Sequence, residues 1–151
     1  MALGEKQQPL AAGRTAHARL TMAARRQTLP GARWHFQHGP MDIVIGAEGE
    51  QAALVAAHEA AWLRFQTLLD ELVAELPKLR SAVSSSANPM SGVVARRMWA
   101  ACWPHSQHFI TPMAAVAGAV ADELIACYRH AGIRRAWVNS NVTLSITQML
   151  F

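Results

Sequence analysis

Residues 34–45 have the sequence Trp-His-Phe-Gln-His-Gly-Pro-Met-Asp-Ile-Val-Ile, and this stretch decides the fold class. Before Gly39-Pro40, aromatic residues alternate with polar ones, which is typical of a strand with one buried face. After this break in the chain, β-branched residues follow. The sequence therefore predicts a β-hairpin with strands at about 33–38 and 41–46.

A long amphipathic helix is predicted to follow the hairpin, opening at Glu48-Gly-Glu50 and ending near Pro77. Acidic residues are favourable in the first turn of a helix, because the N-terminal end of the helix dipole is positive. Apolar residues recur at spacings of three and four, which puts them on one face of the helix; they are Leu54, Ala57, Ala61, Phe65, Leu68 and Leu72. This apolar stripe has to be buried against a sheet or another helix.

The second half of the chain is predicted to contain two further helices. Residues 81–92 are rich in Ser, Asn, Pro and Gly and are predicted to form a loop. A helix at about 93–103 would bury Val94, Met98, Ala101 and Cys102. A helix at about 112–130 would bury Val116, Val120, Leu124 and Cys127, with Gly132 as its C-cap.

Further strands are predicted towards both ends of the chain. Residues 16–22 form a candidate first strand, and residues 136–138 and 142–146 are candidate last strands that pair through 139–141. The first and third helices would cover the same face of the sheet, because each has an apolar stripe to bury. The predicted fold class is thus α/β (α+β), with helices packed on a mainly antiparallel sheet.

The composition limits the class of protein. The chain has 151 residues, of which 52% are hydrophobic and 16% charged, so it is predicted to be globular, with a loose leader at 1–14 and a single domain at 15–151. No apolar stretch reaches the roughly 20 residues of a membrane span. The N-terminus lacks the apolar core of a secretory signal, and Cys102 and Cys127 form no CxxC unit. These features predict reduced thiols and a cytoplasmic location.

The net charge of +4 comes with arginine residues that are scattered along the chain. Nucleic-acid binding favours basic residues gathered on one face with aromatic residues between them. The sequence lacks this pattern, so no nucleic-acid partner is predicted. A small anionic ligand or a solvated basic surface accounts for the excess of positive charge.

Residues 109–122 form the main candidate ligand site. A Thr111-Pro112 helix start leads into a run of Ala, Val and Gly118 that ends at Asp122. The free N–H groups and the dipole of a helix N-terminus favour anions such as phosphate, and a glycine allows a ligand to approach the backbone. Thr111 is expected to cap the helix through its hydroxyl. The alternative is that this helix of small residues packs on a partner helix.

Other chemical groups near this segment are weaker candidates. Cys102, His105 and His108 lie close together in the sequence, but a structural zinc site needs about four ligands, so no metal site is predicted. A relay of Cys102, His105 and Asp42 lacks a recognisable nucleophile motif, and the catalytic residues stay unknown. Arg96 is expected on a solvated helix face or against a phosphate, because a guanidinium binds two oxygens at once.

Several motifs in order resemble one family; they are residues 34–50, 94–98, 100–102 and 109–123. They are similar to an uncharacterised bacterial family of the ApbE-like superfamily. The resemblance implies an α/β fold of the flavin-transferase type. In the characterised relatives, the protein moves FMN from FAD onto a Thr or Ser of an acceptor protein, with magnesium assisting. The resemblance therefore implies FAD or FMN as the ligand, Mg²⁺ as an assisting ion and a protein acceptor as a partner.

The resemblance also implies which residues bind the flavin. Residues 114–122 match a helix of small residues that ends in Asp, and Val138-Asn139 match the start of the strand that follows it in the family. With the helix start and one arginine added, the predicted flavin-binding residues are Thr111, Met113, Ala114, Ala115, Gly118, Asp122, Asn139 and Arg96.

The chain departs from the family pattern after this point. Ser140-Asn-Val-Thr143 stands where the family has a Gly-Gly-Asp-like turn, and the magnesium-binding Asp and Thr of the relatives lie in a later half. The chain is therefore expected to be the N-terminal part of a longer domain, with an incomplete site that lacks its magnesium ligands. Residues 142–151 are expected to pack on a second subunit or to be poorly ordered. A non-catalytic module that forms homodimers, or an inactive paralogue, is the alternative function.

Overall fold

Four strands of the described part of the chain form an antiparallel sheet, which is the first layer of the fold. The computed structural model describes residues 23–84 and 87–140. The strands are β1 (Arg25–Leu29), β2 (Arg33–His38), β3 (Met41–Gly49) and β4 (Ile133–Ser140), and they lie in this order across the sheet. Each strand pairs antiparallel with its neighbour.

Helices form the second layer, on one face of the sheet. They are α1 (Gln51–Ala74), α2 (Leu76–Leu79), α3 (Val93–Cys102) and α4 (Val116–Ala126), and 3₁₀ turns at Trp103–His105 and Pro112–Ala115 lie between α3 and α4. The α+β fold predicted from the sequence is thus confirmed. None of the described helices is both long and apolar enough to cross a membrane.

The predicted hairpin is confirmed as β2 and β3. Phe36 lies opposite Ile43, and Trp34 lies opposite Ile45. Phe36, Ile43 and Ile45 are fully buried, because alternate side chains of a strand point to the same face of the sheet. We call the helix-covered side the inner face and the opposite side, which carries His35, the outer face.

The predicted apolar stripe of α1 is also confirmed. Of its six residues, five are buried, and Leu54 is partly buried against the same core. The α4 helix buries Val116, Val120 and Leu124 in this core, whereas Cys127 is only half-buried. Both helices therefore cover the inner face, as their stripes predicted.

The α1 helix begins later than predicted. Glu48 and Gly49 belong to β3, where they pair with β4, and α1 starts at Gln51 with no acidic residue in its first turn. The prediction was wrong because pairing with a distant strand outweighs a weak local preference for helix. The helix ends at Ala74, and Pro77 lies inside α2 rather than beyond the last helical turn.

The third predicted helix is shorter than expected. Its first turn is 3₁₀, and the α-helix ends at Ala126 rather than at residue 130. Gly132 is not its C-cap but part of the turn into β4, with φ of +87° and a carbonyl that accepts the Glu50 N–H at 2.8 Å. A Cβ at Gly132 would lie 2.8 Å from the Ala53 Cβ. Both the left-handed backbone and the close packing therefore require glycine there.

Two smaller predictions also need correction. In α3, Ala101 is exposed, whereas Ala95 and Trp99 are buried, because α3 packs against both α4 and the 3₁₀ turn that precedes it. At the end of the chain, Asn139 and Ser140 continue β4 by pairing with β3 instead of forming a turn. The predicted strands at 16–22 and 142–146, and the expectation for 142–151, lie outside the described residues.

Candidate functional site

A pocket of about 230 Å³ lies between the first two strands and the N-terminal half of α1. Its lining combines aromatic and aliphatic side chains with charged ones, among them Arg26, Arg33, Trp34, Leu54, His58 and Glu59. Ligand pockets typically have such apolar walls with a few polar groups that fix orientation. The sheet supplies one wall through the hairpin, and α1 supplies the other.

His58 is a pocket residue that contacts with Tyr128 hold in place. Its Nδ1 lies 2.7 Å from the Tyr128 hydroxyl, and the two rings meet edge to face with centroids 5.3 Å apart. Burial lowers the pKa of His58 and raises the pKa of Tyr128. Near neutral pH, the imidazole is therefore uncharged and the phenol protonated, so we assign the Tyr128 O–H as donor to Nδ1. This assignment leaves the Nε2–H of His58 available to a ligand.

Trp34 and Trp62 lie beside an arginine from β1. The Arg26 guanidinium lies 5.4 Å from the Trp34 ring centroid and 5.1 Å from that of Trp62. Its Nη1 donates to Glu59 Oε2 at 2.6 Å. Trp34 also lies against His58, with ring centroids 5.9 Å apart. These contacts join Arg26, Trp34, His58 and Glu59 at one wall of the pocket.

Arg33 provides a second cation at the edge of the pocket. Its Nε donates to the Pro30 carbonyl at 2.9 Å, which fixes the stem of an otherwise exposed side chain. The two terminal nitrogens of a guanidinium can bind two oxygens of a phosphate or carboxylate together. The pocket therefore combines a neutral N–H donor, an aromatic ring and an accessible cation.

Sequence reasoning missed this pocket, although one signal for it exists. Leu54, His58 and Trp62 are spaced by four and share one face of α1. A histidine between two apolar residues on a face that packs on the sheet is a candidate for a partnered, functional ring. Its partner Tyr128 is 70 residues away, so no local pattern could have identified it.

Thr111 does not cap a helix in the way that was predicted. It occupies the N-cap position of the Pro112–Ala115 turn, but its side chain makes no capping hydrogen bond. The turn is 3₁₀, so the Ala114 N–H donates to the Thr111 carbonyl at 3.1 Å and is not free for an anion. Met113 and Ala115 pack against the core, whereas Ala114 is exposed. The predicted anion site at this helix start thus loses the capping hydroxyl and one of its donors.

Gly118 and Asp122 lie on the exposed side of α4. A Cβ at Gly118 would meet nothing within 4 Å. The neighbouring Glu123 does have partners. Its carboxylate accepts hydrogen bonds from Arg64 Nε at 2.8 Å and from Arg97 Nη1 at 3.0 Å. Burial alone raises the pKa of Glu123, but the hydrogen bonds from the two arginines outweigh it and the pKa is lowered.

The structure separates the remaining predicted flavin-binding residues. Arg96 is exposed on α3, and Asn139 is exposed on β4 opposite Val44, on the outer face. The α4 segment lies on the inner side of the sheet, so Asn139 and Gly118 do not share a surface. Flavin binding at the predicted residues stays a prediction, and these residues do not line one common cleft in the structure.

The imagined relay of Cys102, His105 and Asp42 is not assembled. Asp42 lies on the outer face, where its Oδ1 is 2.8 Å from His35 Nε2. Cys102 is buried, donates to the Thr111 carbonyl at 3.4 Å and has its pKa raised by burial. His105 is exposed, as is His108. Within 23–84 and 87–140, no group of three or more His, Cys, Asp or Glu side chains is arranged to hold a metal ion.

A comparison with known protein families identifies a matching family model. A family model described as AbpE bacteria matches residues 25–142. No curated protein and no solved structure matches the chain. The family match corrects the resemblance to ApbE-like flavin transferases, because the matching family has a different name and no finding links it to that superfamily. The chain belongs to the AbpE bacteria family.

Proposed function

We propose that this protein binds a small, planar, anionic ligand of the mononucleotide kind, such as FMN, in the pocket between the hairpin and α1. The observation that carries the proposal is the fixed His58 ring, which the buried Tyr128 hydroxyl contacts at Nδ1 while Nε2 stays available. A hydrogen bond that holds the His58 ring in one orientation restricts the side chain. In return, the protein has a hydrogen-bond donor that needs no reorganisation when a ligand binds.

The apolar part of the pocket suits the ring of such a ligand. Trp34 supplies aromatic contact, and Leu54 supplies aliphatic contact from α1. At about 230 Å³, the pocket is smaller than the roughly 300–1,000 Å³ of pockets that enclose drug-sized ligands. The ring therefore enters the pocket, and the phosphate stays at its edge.

The charges at the edge favour an anion there. Arg33 has its Nε bound to the Pro30 carbonyl and its terminal nitrogens free to bind phosphate oxygens. The net charge of +4 also attracts anions over a longer range. Flavin transfer to an acceptor protein and a magnesium site rested on the corrected resemblance alone, so they are not part of this proposal.

Titration with FMN, followed by the quenching of flavin fluorescence, tests the proposal. Riboflavin is the matched ligand because it has the same ring and no phosphate. We expect riboflavin to bind roughly tenfold more weakly than FMN, because it lacks the contact with Arg33. His58→Gln should weaken the binding of both ligands, whereas Arg33→Gln should weaken FMN alone.

Two exposed residues provide the control variants. His105→Gln and Arg80→Gln make the same chemical changes at exposed positions outside the pocket lining, and both should leave the affinity for FMN unchanged. Equal binding of FMN and riboflavin would contradict the role of Arg33. Unchanged FMN affinity in His58→Gln would contradict the pocket as the binding site.

A further inference from the structure

We propose that Trp34, Trp62 and Glu59 form a cation-binding cage that Arg26 of the same chain fills, and that the cage takes a guanidinium or alkylammonium group from a ligand when Arg26 leaves it. The inference goes beyond the proposed function, because it concerns a cationic group and needs no anionic ligand. We call these three residues the cation cage.

The contacts of Arg26 define the cage. Its guanidinium carbon lies 5.4 Å from the centroid of the Trp34 ring and 5.1 Å from that of Trp62. Its Nη1 forms an ion pair with Glu59 Oε2 at 2.6 Å. Two aromatic rings within about 6 Å of one cation, with a carboxylate beside them, form the arrangement that recognises guanidinium and methylated ammonium groups.

Side chains other than Arg26 contact both walls of the cage. The Trp62 ring packs on Phe36 and Phe65, with centroids 5.2 Å and 6.1 Å away. Phe36 and Phe65 are fully buried. The Trp34 ring is supported by His58 at 5.9 Å. Because rigid neighbours position both rings, the cage keeps its shape when its cation is exchanged.

Arg26 is a replaceable occupant. It lies on β1, which is at the edge of the sheet among the described strands. The first four residues of β1 are exposed, and the Arg26 side chain is 32% exposed. An ion pair with this much solvent exposure adds little to the stability of the fold. A side chain on a surface strand can therefore move aside without disturbing the buried residues behind the cage.

Removal of the internal cation tests the cage directly. In Arg26→Ala, we expect methylguanidinium to change the tryptophan fluorescence with a saturable midpoint in the millimolar range, at least about tenfold below the midpoint of the wild-type protein. Sodium chloride at equal ionic strength controls for screening. Arg25→Ala removes the neighbouring exposed arginine of the same strand, and it should behave like the wild type.

The carboxylate provides the second arm of the experiment. Adding Glu59→Gln to Arg26→Ala should raise the methylguanidinium midpoint at least about tenfold, because the cage loses its negative charge. Equal midpoints for Arg26→Ala and the wild type, or for the single and double variants, would overturn the proposal.

A measurement on the wild-type protein covers the case in which Arg26→Ala does not fold. At tens of millimolar methylguanidinium, the indole N–H resonances of Trp34 and Trp62 should shift in nuclear magnetic resonance spectra, while that of Trp99 stays in place. Trp99 stacks on Trp103, with centroids 4.9 Å apart, and has no part in the cage. Shifts of equal size at all three tryptophans, or none at Trp34 and Trp62, would sink the cation cage.

Discussion

The pocket between the hairpin and α1 and the small-residue segment at 112–126 differ in how they are assembled. The pocket joins β1, β2 and α1, and Tyr128 behind it lies 70 residues from its partner His58. The small-residue segment is continuous in sequence and conspicuous by composition, yet its Gly118 faces open space. A contiguous motif can be recognised without a structure, whereas a cleft depends on which distant segments the core brings together.

The largest effect should follow from removing the aromatic support behind the pocket. Phe65 is fully buried and lies within 6.1 Å of the Phe36 and Trp62 rings, centroid to centroid. Phe65→Ala should lower the free energy of unfolding by about 3–5 kcal/mol, through lost burial and a cavity. Gly118→Val, at a site with no neighbours, should change it by less than about 1 kcal/mol. Urea unfolding measures the free energy of unfolding of both variants. Losses of similar size would contradict the contrast between the two regions.

The next largest effect should distinguish two adjacent carboxylates of α4. Glu123 has a side chain that is 15% exposed and binds Arg64 and Arg97, so Glu123→Gln should cost about 2 kcal/mol. Asp122→Asn, at an exposed position, should change stability by less than about 0.5 kcal/mol. A larger loss at Asp122 than at Glu123 would contradict the structure of this helix.

The contribution of Glu123 should also depend on pH. Its pKa in the folded protein is lowered from the usual 4.5, so the contribution is fully present above that pH and is lost as the pH falls through the folded value. The free energy of unfolding of Glu123→Gln should therefore fall less steeply with decreasing pH than that of the wild type.

A smaller effect should follow from removing the hydroxyl behind the pocket. Tyr128→Phe leaves His58 Nδ1 without its donor and should cost about 1 kcal/mol. His58 has a folded pKa below 6.5, so the unfolded chain takes up its proton first and stability falls as the pH drops below 6.5. His58→Gln should remove this part of the pH dependence between about pH 7 and 5. A wild-type stability that stays constant over this interval would contradict the neutral, half-buried ring of His58.

The sequence predicted the fold better than it predicted the site. Alternation in the hairpin and the stripe of α1 each reflect a single buried face, so they predicted β2, β3 and α1 correctly. The start of α1 was misplaced because Glu48 and Gly49 pair with β4, a contact that no local pattern contains. The pocket depends on several such long-range contacts at once. Thr111 is the opposite case, in which a local pattern is present but misleading. Its sequence context favours capping, yet it makes no capping hydrogen bond at the start of a 3₁₀ turn.

The smallest effect is therefore expected at Thr111. Since its side chain makes no capping hydrogen bond, Thr111→Ala should cost less than about 0.5 kcal/mol, below the ~1 kcal/mol typical of a lost cap. Thermal unfolding measures the change. A loss of about 2 kcal/mol, at the upper end for helix caps, would restore Thr111 as a helix cap and strengthen the small-residue segment as a candidate site.

Mapping of FMN binding by amide chemical shifts tests the central claim most directly. The pocket and the small-residue segment occupy separate stretches of the chain, so one titration reports on both. We predict that the shifts concentrate at residues 26–34 and 47–59, which contain the pocket lining. Shifts concentrated at residues 111–122, or no saturable shifts at all, would contradict a ligand site between the hairpin and α1.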